Sequence, residues 1–283
     1  MSSSKLQAKE SKLVNQLSNL DRLLVAYSGG VDSSVLAYYA CKVLGAKAKL
    51  VIAISPSLAA DELEAARNQA RQFGWHLLEI VTDEVSKPEY QRNDTMRCYF
   101  CKSALFEEIE KIAEQQGVQY LAYGAIYDDL SDFRPGAKAA HEHKVLTPLQ
   151  AAELTKDDVR LLARQAGLPS WDRPQAACLA SRFQTYEPIS VELLGQVEKA
   201  EHYLHTLGFK QVRVRHHRDL ARLEFGVDEL PRLTADVQLL KQIACELKKL
   251  GYTYVVLDME GYRQGSANQI KADEKKQVWT AIS

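Results

Sequence analysis

The chain has 283 residues and a formal net charge of −1, with 36 lysines and arginines against 37 aspartates and glutamates. This length suits two domains, and the balanced charge argues against a broad nucleic-acid-binding surface. The sequence contains no stretch of about 18 apolar residues, and its polar N-terminal segment lacks the apolar core of a signal peptide. We therefore expect a soluble, cytoplasmic protein that makes no membrane contact.

The first part of the chain alternates predicted helices with predicted strands. An amphipathic helix is expected over residues 5–20. The predicted strands cover residues 23–27, 49–54, 76–81 and 119–123, and the helices that follow them cover residues 35–44, 61–73, 98–116 and 156–167. This alternation is typical of a parallel sheet with helices on both faces, so we predict an α/β domain over residues 1–185.

Two polar segments interrupt this pattern. Residues 128–143 are too polar and too broken for a regular element, so we expect a long loop that borders the functional site. Residues 169–183 form a segment punctuated by proline. Between them, Thr155 with Asp158 three positions later predicts a capped helix start.

The composition changes near residue 186. Helices are predicted over residues 190–207 and 230–250, and strands over residues 211–216, 221–225 and 253–257. This order predicts a smaller α+β domain with an antiparallel sheet, covering residues 186–283.

A glycine pair directly follows the first predicted strand, in the string SGGVDS. Glycines permit backbone conformations closed to other residues and let a ligand approach the main chain. Asp32 and Ser33 are expected at the cap positions of the next helix. A helix N-terminus at the carboxyl end of a parallel strand binds phosphate well. The predicted phosphate-binding residues are Ser28, Gly29, Gly30, Asp32 and Ser33.

The string matches neither the Walker loop nor the GxGxxG fingerprint. It resembles the pyrophosphate loop, or PP-loop, of ATP pyrophosphatases, which cleave ATP between its α and β phosphates and adenylate an acyl or carbonyl oxygen. The resemblance implies an adenine-nucleotide hydrolase-like α/β fold with ATP and Mg²⁺ as ligands. It makes Asp32 a candidate contributor to magnesium binding.

Three cysteines are candidates for chemistry. Cys98 and Cys101 form a CxxC pair on one face of a predicted helix, and Cys178 lies in the proline-punctuated segment. Their thiolates could hold a [4Fe–4S] cluster with one iron left open, or zinc with His141 or His143 as a fourth ligand. A reversible disulfide within the CxxC pair is a third interpretation, and simple packing a fourth. Two further cysteines lie in helical patterns and are interpreted as small core residues: Cys41 and Cys245.

A basic strand is predicted in the second domain. Valines alternate there with Arg213 and Arg215, so the two arginines share one face and could clamp a carboxylate or phosphate. A solvated strand face is the alternative. Glu201, on the preceding helix, could pair with either arginine or face water.

Several motifs, taken in chain order, resemble one family. They are SGGVDS at 28–33, RPG at 134–136, Cys178 followed by SRF at 181–183, AEHYLHTLGF in a helix and VRVRHHRDLARLE in the basic strand. This set resembles the LarE-type ATP-dependent sulfur transferases, which act in biosynthesis of the nickel-pincer nucleotide cofactor of lactate racemase. The resemblance extends over nearly the whole chain.

That resemblance implies adenylation of a carboxylate of pyridinium-3,5-biscarboxylic acid mononucleotide, release of pyrophosphate, and replacement of an oxygen by sulfur. In the best-known members the cysteine matching Cys178 gives up its own sulfur, and cysteines matching Cys98 and Cys101 are absent. Their presence here implies the version in which three cysteines hold a [4Fe–4S] cluster, whose open iron carries sulfide from an unidentified donor.

The resemblance also assigns the substrate-binding residues and implies a homo-oligomer, specifically a hexamer. The residues expected to hold the anionic nucleotide substrate are Arg182, Glu201, Arg213 and Arg215. Two alternatives remain open. A tRNA 2-thiolation enzyme can combine the same loop with CxxC and a cluster, although the balanced charge argues against it. A non-catalytic iron–sulfur sensor would bind ATP without releasing pyrophosphate.

Overall fold

The computed structural model describes residues 3–131, 135–173 and 177–263. Contacts divide the chain into two compact units, Met1–Gln91 with Thr95–Cys178, and Arg92–Asp94 with Leu179–Ser283. Arg134 of the RPG motif lies outside the described residues, as does the predicted second domain beyond residue 263. The predicted domain boundary after residue 185 stays a prediction.

A parallel sheet forms the centre of the first unit. Its strands are β1 (Leu23–Ala26), β2 (Ala48–Ile54), β3 (Leu77–Val81) and β4 (Tyr120–Tyr123). They lie in the order β3-β2-β1-β4, and every neighbouring pair is parallel. The predicted α/β fold class is therefore confirmed.

Helices cover both faces of this sheet. They are α1 (Ser3–Ser18), α2 (Val31–Leu44), α3 (Ala60–Gln72), α4 (Pro88–Gln91), α5 (Arg97–Gln116), α6 (Pro135–Glu142), α7 (Pro148–Ala151) and α8 (Lys156–Gln165). Among the described residues, we find no helix with the length and apolar character needed to cross a bilayer.

Strand β1 is buried along its whole length because successive side chains enter cores on opposite faces of the sheet. Leu23 and Val25 pack with apolar residues of α1, α2 and α8. Leu24 and Ala26 pack with residues of α5 and α6. This two-sided burial explains the continuous apolar run that predicted the strand.

The prediction of a loop over residues 128–143 is wrong, because helix α6 occupies its second half. The helix buries only small residues, Gly136, Ala139 and Ala140. A Cβ added at Gly136 would lie 3.0 Å from Cγ of Lys102 on α5, so the two helices pack closely. Small residues produce a weak hydrophobic period, and the helix was therefore not evident from the sequence.

The second unit contains a three-stranded sheet and its own helices. The elements are α9 (Val191–Thr206), β5 (Val212–His217), β6 (Leu220–Phe225), α10 (Leu230–Thr234), α11 (Val237–Lys249) and β7 (Tyr254–Leu257). Strands β5 and β6 form an antiparallel hairpin, but β7 pairs parallel to β6. The predicted antiparallel sheet is therefore wrong for β7, because the helical connection returns the chain to the end where β6 began.

A short segment before α5 belongs to the second unit. The side-chain amide of Asn93 donates to the carbonyls of Gln184 at 2.7 Å and Glu187 at 2.9 Å. The Tyr186 N–H donates in return to the Asn93 carbonyl at 2.8 Å. These bonds join positions about ninety residues apart, so local sequence patterns did not indicate them.

The predicted capping box at the start of α8 is confirmed. Thr155 accepts from the Asp158 N–H, and the Asp158 carboxylate accepts from the Thr155 N–H at 3.0 Å. The Lys9 ammonium lies 2.7 Å from the same carboxylate, and Asp158 is only 2% exposed. Burial raises the pKa of Asp158, but the bonds from Lys9 and Thr155 outweigh it and hold the pKa below its ordinary value.

We predict that Asp158→Asn lowers the free energy of unfolding at pH 7 by about 1–3 kcal/mol, because the capping bonds and the ion pair are weakened. The native carboxylate contributes stability above its unfolded pKa, near 3.9, and loses it as the pH falls through the lowered folded pKa. The difference between variant and parent should therefore shrink in acid. Urea titrations at pH 7 and below pH 4 measure it.

Glu153→Gln is the matched control, because Glu153 forms an exposed ion pair with Lys12 at 2.7 Å. This variant should change the unfolding midpoint less than Asp158→Asn. Equal changes in the two variants would contradict the importance of the buried cap.

Candidate active site

The phosphate loop, residues 28–33, connects β1 to α2. Gly29 has a φ of +75°, a conformation that favours glycine, and Gly30 is the N-cap of α2. The prediction that Asp32 and Ser33 cap the helix is therefore wrong, since both lie inside its first turn. Gly30 has no side chain that could cap the helix, and the N–H groups of the first turn belong to the loop itself. Such groups bind phosphate oxygens.

Ser33 shapes the loop by bonding within it. Its hydroxyl accepts from the Ser28 N–H at 3.2 Å and donates to the Gly30 carbonyl at 3.0 Å. The two serine hydroxyls lie 3.1 Å apart. The predicted phosphate-binding residues thus form one turn, held in shape by Ser33.

Close packing surrounds the loop on two sides. A Cβ added at Gly29 would lie 2.7 Å from Cβ of Ala66 on α3. A Cβ added at Gly124 would lie 2.8 Å from the Ser33 nitrogen. Gly124 directly follows β4, the strand beside β1, at the point where the connections leave toward opposite faces of the sheet. Ligands of open α/β sheets bind at such switch points. The sequence analysis did not identify Gly124, because a glycine directly after a strand is a weak indication of function.

A buried polar network lies beneath the loop. The Gln69 side-chain amide donates to the Ser34 hydroxyl at 2.6 Å and to the Tyr27 hydroxyl at 3.1 Å. Burial raises the pKa of Tyr27 to about 12, so its hydroxyl stays protonated. These bonds fix α3 against the strand and helix that carry the loop.

Asp32 forms an ion pair that was not predicted. The Lys156 ammonium lies 2.8 Å from both carboxylate oxygens of Asp32. The two side chains are 29% and 28% exposed, so the pair borders solvent. A carboxylate oxygen is the kind of ligand that Mg²⁺ prefers, and the magnesium role of Asp32 stays a prediction.

The cysteine group, Cys98, Cys101 and Cys178, lies in the first unit. Cys98 and Cys101 begin helix α5, and Cys101 is the more buried of the two. Burial raises the pKa of Cys101, and the charges of Glu84 and Cys178 raise it further. The charge of Cys178 therefore affects the CxxC pair, although the residues are far apart in the sequence.

Charged and buried neighbours surround these thiols. Burial lowers the pKa of Arg97, but Cys178 and Cys98 outweigh it, so the net effect raises the pKa. Glu84 is 2% exposed, and one of its oxygens accepts from the Ser57 hydroxyl at 3.4 Å. Sequence reasoning missed both residues. A cation beside thiolates stabilises their charged form.

The described residues contain no group of three histidine, cysteine, aspartate or glutamate side chains close enough to hold a metal ion. The donor chemistry nevertheless fits soft metals, because thiolates are the ligands of iron–sulfur clusters and of structural zinc. His143 is one of the two histidines considered as a fourth zinc ligand. Its Nδ1 lies 2.9 Å from a carboxylate oxygen of Glu110, and its ring packs against the ring of Phe106.

The two remaining cysteines differ from one another. Cys41 is half-buried, and burial raises its pKa to about 11, which suits an unreactive packing residue. Cys245 is exposed, so its interpretation as a core residue is wrong. Helix α11 buries Ile243 and Leu247, and a residue midway between them points to the opposite side.

Arginines and glutamates form a buried charge cluster in the second unit. Arg182 donates to both oxygens of Glu201, at 2.9 and 2.7 Å. The Val214 N–H donates to the same carboxylate at 2.9 Å. Burial raises the pKa of Glu201, but Arg182 outweighs it and the pKa is lowered. Glu201 therefore pairs with Arg182 and does not face water, and the charge of Arg213 on β5 also lowers its pKa.

The two arginines of β5 share one face but differ in environment. Arg215 is buried and pairs with Glu224 at 2.8 Å, and it also donates to the Ser181 carbonyl at 2.9 Å. Arg213 is half-buried, with its guanidinium 5.4 Å from the ring centre of Tyr262. Burial and the neighbouring Arg182 lower the pKa of Arg213. The cluster formed by Arg182, Arg213, Arg215, Glu201 and Glu224 has one more cation than anions, which suits an anionic ligand.

No protein-family model matches the chain. It is 42% identical over 265 residues to an uncharacterized protein of Synechocystis sp., covering 94% of this chain and 98% of the relative. It is 34% identical over 266 residues to the pyridinium-3,5-bisthiocarboxylic acid mononucleotide synthase of Lactiplantibacillus plantarum, covering 93% and 95% of the two chains.

A partial likeness extends to a second kind of enzyme. A GMP synthase of Chlamydia caviae is 27% identical over 223 residues, covering 69% of this chain but 41% of that enzyme. The full-length likeness to the mononucleotide synthase, together with the parallel sheet and its phosphate loop, establishes the family. The chain belongs to the LarE-type PP-loop sulfur transferases.

Proposed function

We propose that the protein is an ATP-dependent sulfurtransferase that adenylates a carboxylate of pyridinium-3,5-biscarboxylic acid mononucleotide and then replaces an oxygen with sulfur. One observation carries this proposal. A phosphate loop and a group of three cysteines occur in one unit of a chain that is similar, along 93% of its length, to a synthase named for a bisthiocarboxylic mononucleotide.

Adenylation makes the later exchange possible. A carboxylate oxygen is a poor leaving group, and its attack on the α-phosphorus of ATP converts it into part of an acyl phosphate anhydride. The bond between the α-phosphorus and the bridging oxygen breaks, and its electron pair leaves with pyrophosphate. The first-turn N–H groups of α2 would hold the phosphates, and Asp32 would contribute to binding of Mg²⁺.

The cysteine group supports the sulfur step. Cys98, Cys101 and Cys178 would hold a [4Fe–4S] cluster, which when bound would supply the sulfide that displaces AMP. Arg97, whose pKa is raised by the charges of Cys178 and Cys98, would offset part of the negative charge of a cluster held by these cysteines. The donor that renews the sulfide is a further partner of unassigned identity.

The charge cluster of the second unit supports binding of the substrate. The nucleotide carries two carboxylates and a phosphate, and guanidinium groups bind both kinds of anion through paired hydrogen bonds. Arg182 and Arg215 are oriented by their glutamates, so they would act mainly by setting the field around Arg213. Arg213 would make the direct contact.

We predict that Asp32→Asn lowers the rate of substrate-dependent pyrophosphate release at least about 100-fold, because the leaving group loses its metal contact. A coupled pyrophosphate assay with the biscarboxylate nucleotide measures it. Asp21→Asn is the control, since Asp21 forms an exposed pair with Lys47 before the amino end of β1. An unchanged rate in Asp32→Asn would mean that the loop has another role, and ATP binding without pyrophosphate release would favour the sensor.

We predict that protein reconstituted without oxygen binds about four irons and four sulfides per chain, with visible charge-transfer absorption. Cys98→Ala should lose both the bound iron and the absorption, because two thiolates cannot hold the cluster firmly. Cys245→Ala, a change at an exposed cysteine of α11, should retain both. Absence of iron in the parent protein would contradict the cluster, and mass spectrometry would then test whether Cys178 loses its sulfur during one turnover.

We predict that Arg213→Met raises KM for the biscarboxylate nucleotide by about 10- to 100-fold with a smaller effect on kcat, because it removes a charge-assisted contact present in the ground state. Steady-state kinetics at saturating ATP measure both constants. Lys248→Met removes a positive charge from the exposed side of α11 and is the control. Equal changes in the two variants would show that only overall charge matters.

A further inference from the structure

Lys156 and Asp32 form an ion pair beside the phosphate loop. The ammonium nitrogen lies 2.8 Å from each carboxylate oxygen, so one lysine occupies both metal-binding atoms of Asp32. The residues are 124 positions apart in the chain, and both remain partly exposed. The pair is therefore open to exchange with dissolved ions.

The main chain of Lys156 is fixed at the start of α8. The Lys156 N–H donates to the Asp128 carboxylate at 2.6 Å. The preceding residue, Thr155, belongs to the buried capping box with Asp158. A lysine side chain has four rotatable carbons beyond this anchor, so its ammonium can change partners without movement of the helix.

Phosphate binding at α2 creates a conflict of charge. Asp32 lies in the first turn, so phosphate oxygens bound by the first-turn N–H groups would approach its carboxylate. Two negative charges close to one another repel unless a cation lies between them. Mg²⁺ and the Lys156 ammonium are both able to fill that role. They compete for the same oxygens of Asp32 when the loop is empty.

We propose that Lys156 is a counter-ion that changes partners when nucleotide binds. In the empty loop it holds Asp32 and excludes the metal. With nucleotide present, Asp32 binds the metal and Lys156 transfers to the β- and γ-phosphates. Metal therefore binds only together with phosphate. This inference rests on the use of ATP under the proposed function, and it adds an order of binding and a ligand for the leaving group.

The same position would assist cleavage. When the bond to the α-phosphorus breaks, the departing pyrophosphate gains one negative charge and the α-phosphorus gains the carboxylate oxygen. An ammonium on the departing group stabilises that charge. Lys156 donates no proton and takes up no electron in this step, so the reaction balances without a further reactant.

Two binding measurements test the proposal. Electron paramagnetic resonance of Mn²⁺ alone reports metal affinity, and calorimetry with magnesium pyrophosphate reports phosphate affinity. Lys156→Met should bind Mn²⁺ alone at least about 10-fold more tightly than the parent, and magnesium pyrophosphate at least about 10-fold more weakly. Lys12→Met, which removes an exposed lysine paired with Glu153, should change neither value.

A second variant tests the same pair from the other side. Asp32→Asn releases Lys156 and removes the repelling carboxylate, so metal-free pyrophosphate should bind more tightly than to the parent. Mn²⁺ alone should bind no better than it does to the parent, because position 32 no longer carries a carboxylate. Lys156→Arg, which keeps the charge, should retain most of the pyrophosphate affinity.

The outcomes separate this inference from the proposed function. Loss of both affinities in Lys156→Met, or a change in neither, would overturn the exchange of partners, since neither pattern follows from competition for Asp32. Failure of the parent protein to bind magnesium α,β-methylene-ATP would contradict the proposed function and this inference together. Binding by the parent with an unchanged Lys156→Met variant would contradict this inference alone.

Discussion

The backbone around Gly29 and Gly124 passes so close to its neighbours that neither position has space for a Cβ atom. At Gly124 this contact places the end of β4 directly against the first turn of α2. The helix N-terminus, the loop and the switch point of the sheet are thereby held in one place. Asp32, Lys156 and any phosphate bound by the helix all depend on that placement.

The ion pair beside the phosphate loop and the arginine–glutamate pairs of the second unit differ in burial. In the first unit the Asp32–Lys156 pair is partly exposed, and such a pair exchanges ions at little cost. In the second unit the Arg182–Glu201 and Arg215–Glu224 pairs are buried, so breaking either would leave a charge without solvent. The first arrangement suits a step in which ligands exchange, and the second suits a rigid receptor for an anion.

The CxxC pair of the cysteine group cannot be assigned a role from its spacing alone. A CxxC pair alone is compatible with a cluster, zinc or a disulfide. In this structure the charges of Cys178 and the buried Glu84 raise the pKa of Cys101, and the charges of Cys178 and Cys98 raise the pKa of Arg97. The family relationship adds the chemical context, since the chain is similar over 93% of its length to a synthase named for a thiocarboxylic product.

Local patterns in the sequence determined the alternating strands and helices, the phosphate loop and the capping box at Thr155, because each depends on neighbours within one or two turns. The same patterns missed α6, whose buried residues are small, and the parallel β7, whose direction depends on a helical connection. Only the tertiary structure decided which charges pair. Lys156 pairs with Asp32, and Arg182 pairs with Glu201, because packing brings together groups that the sequence separates. Spacing along a chain sets which residues share a face, but it carries no information on what that face meets.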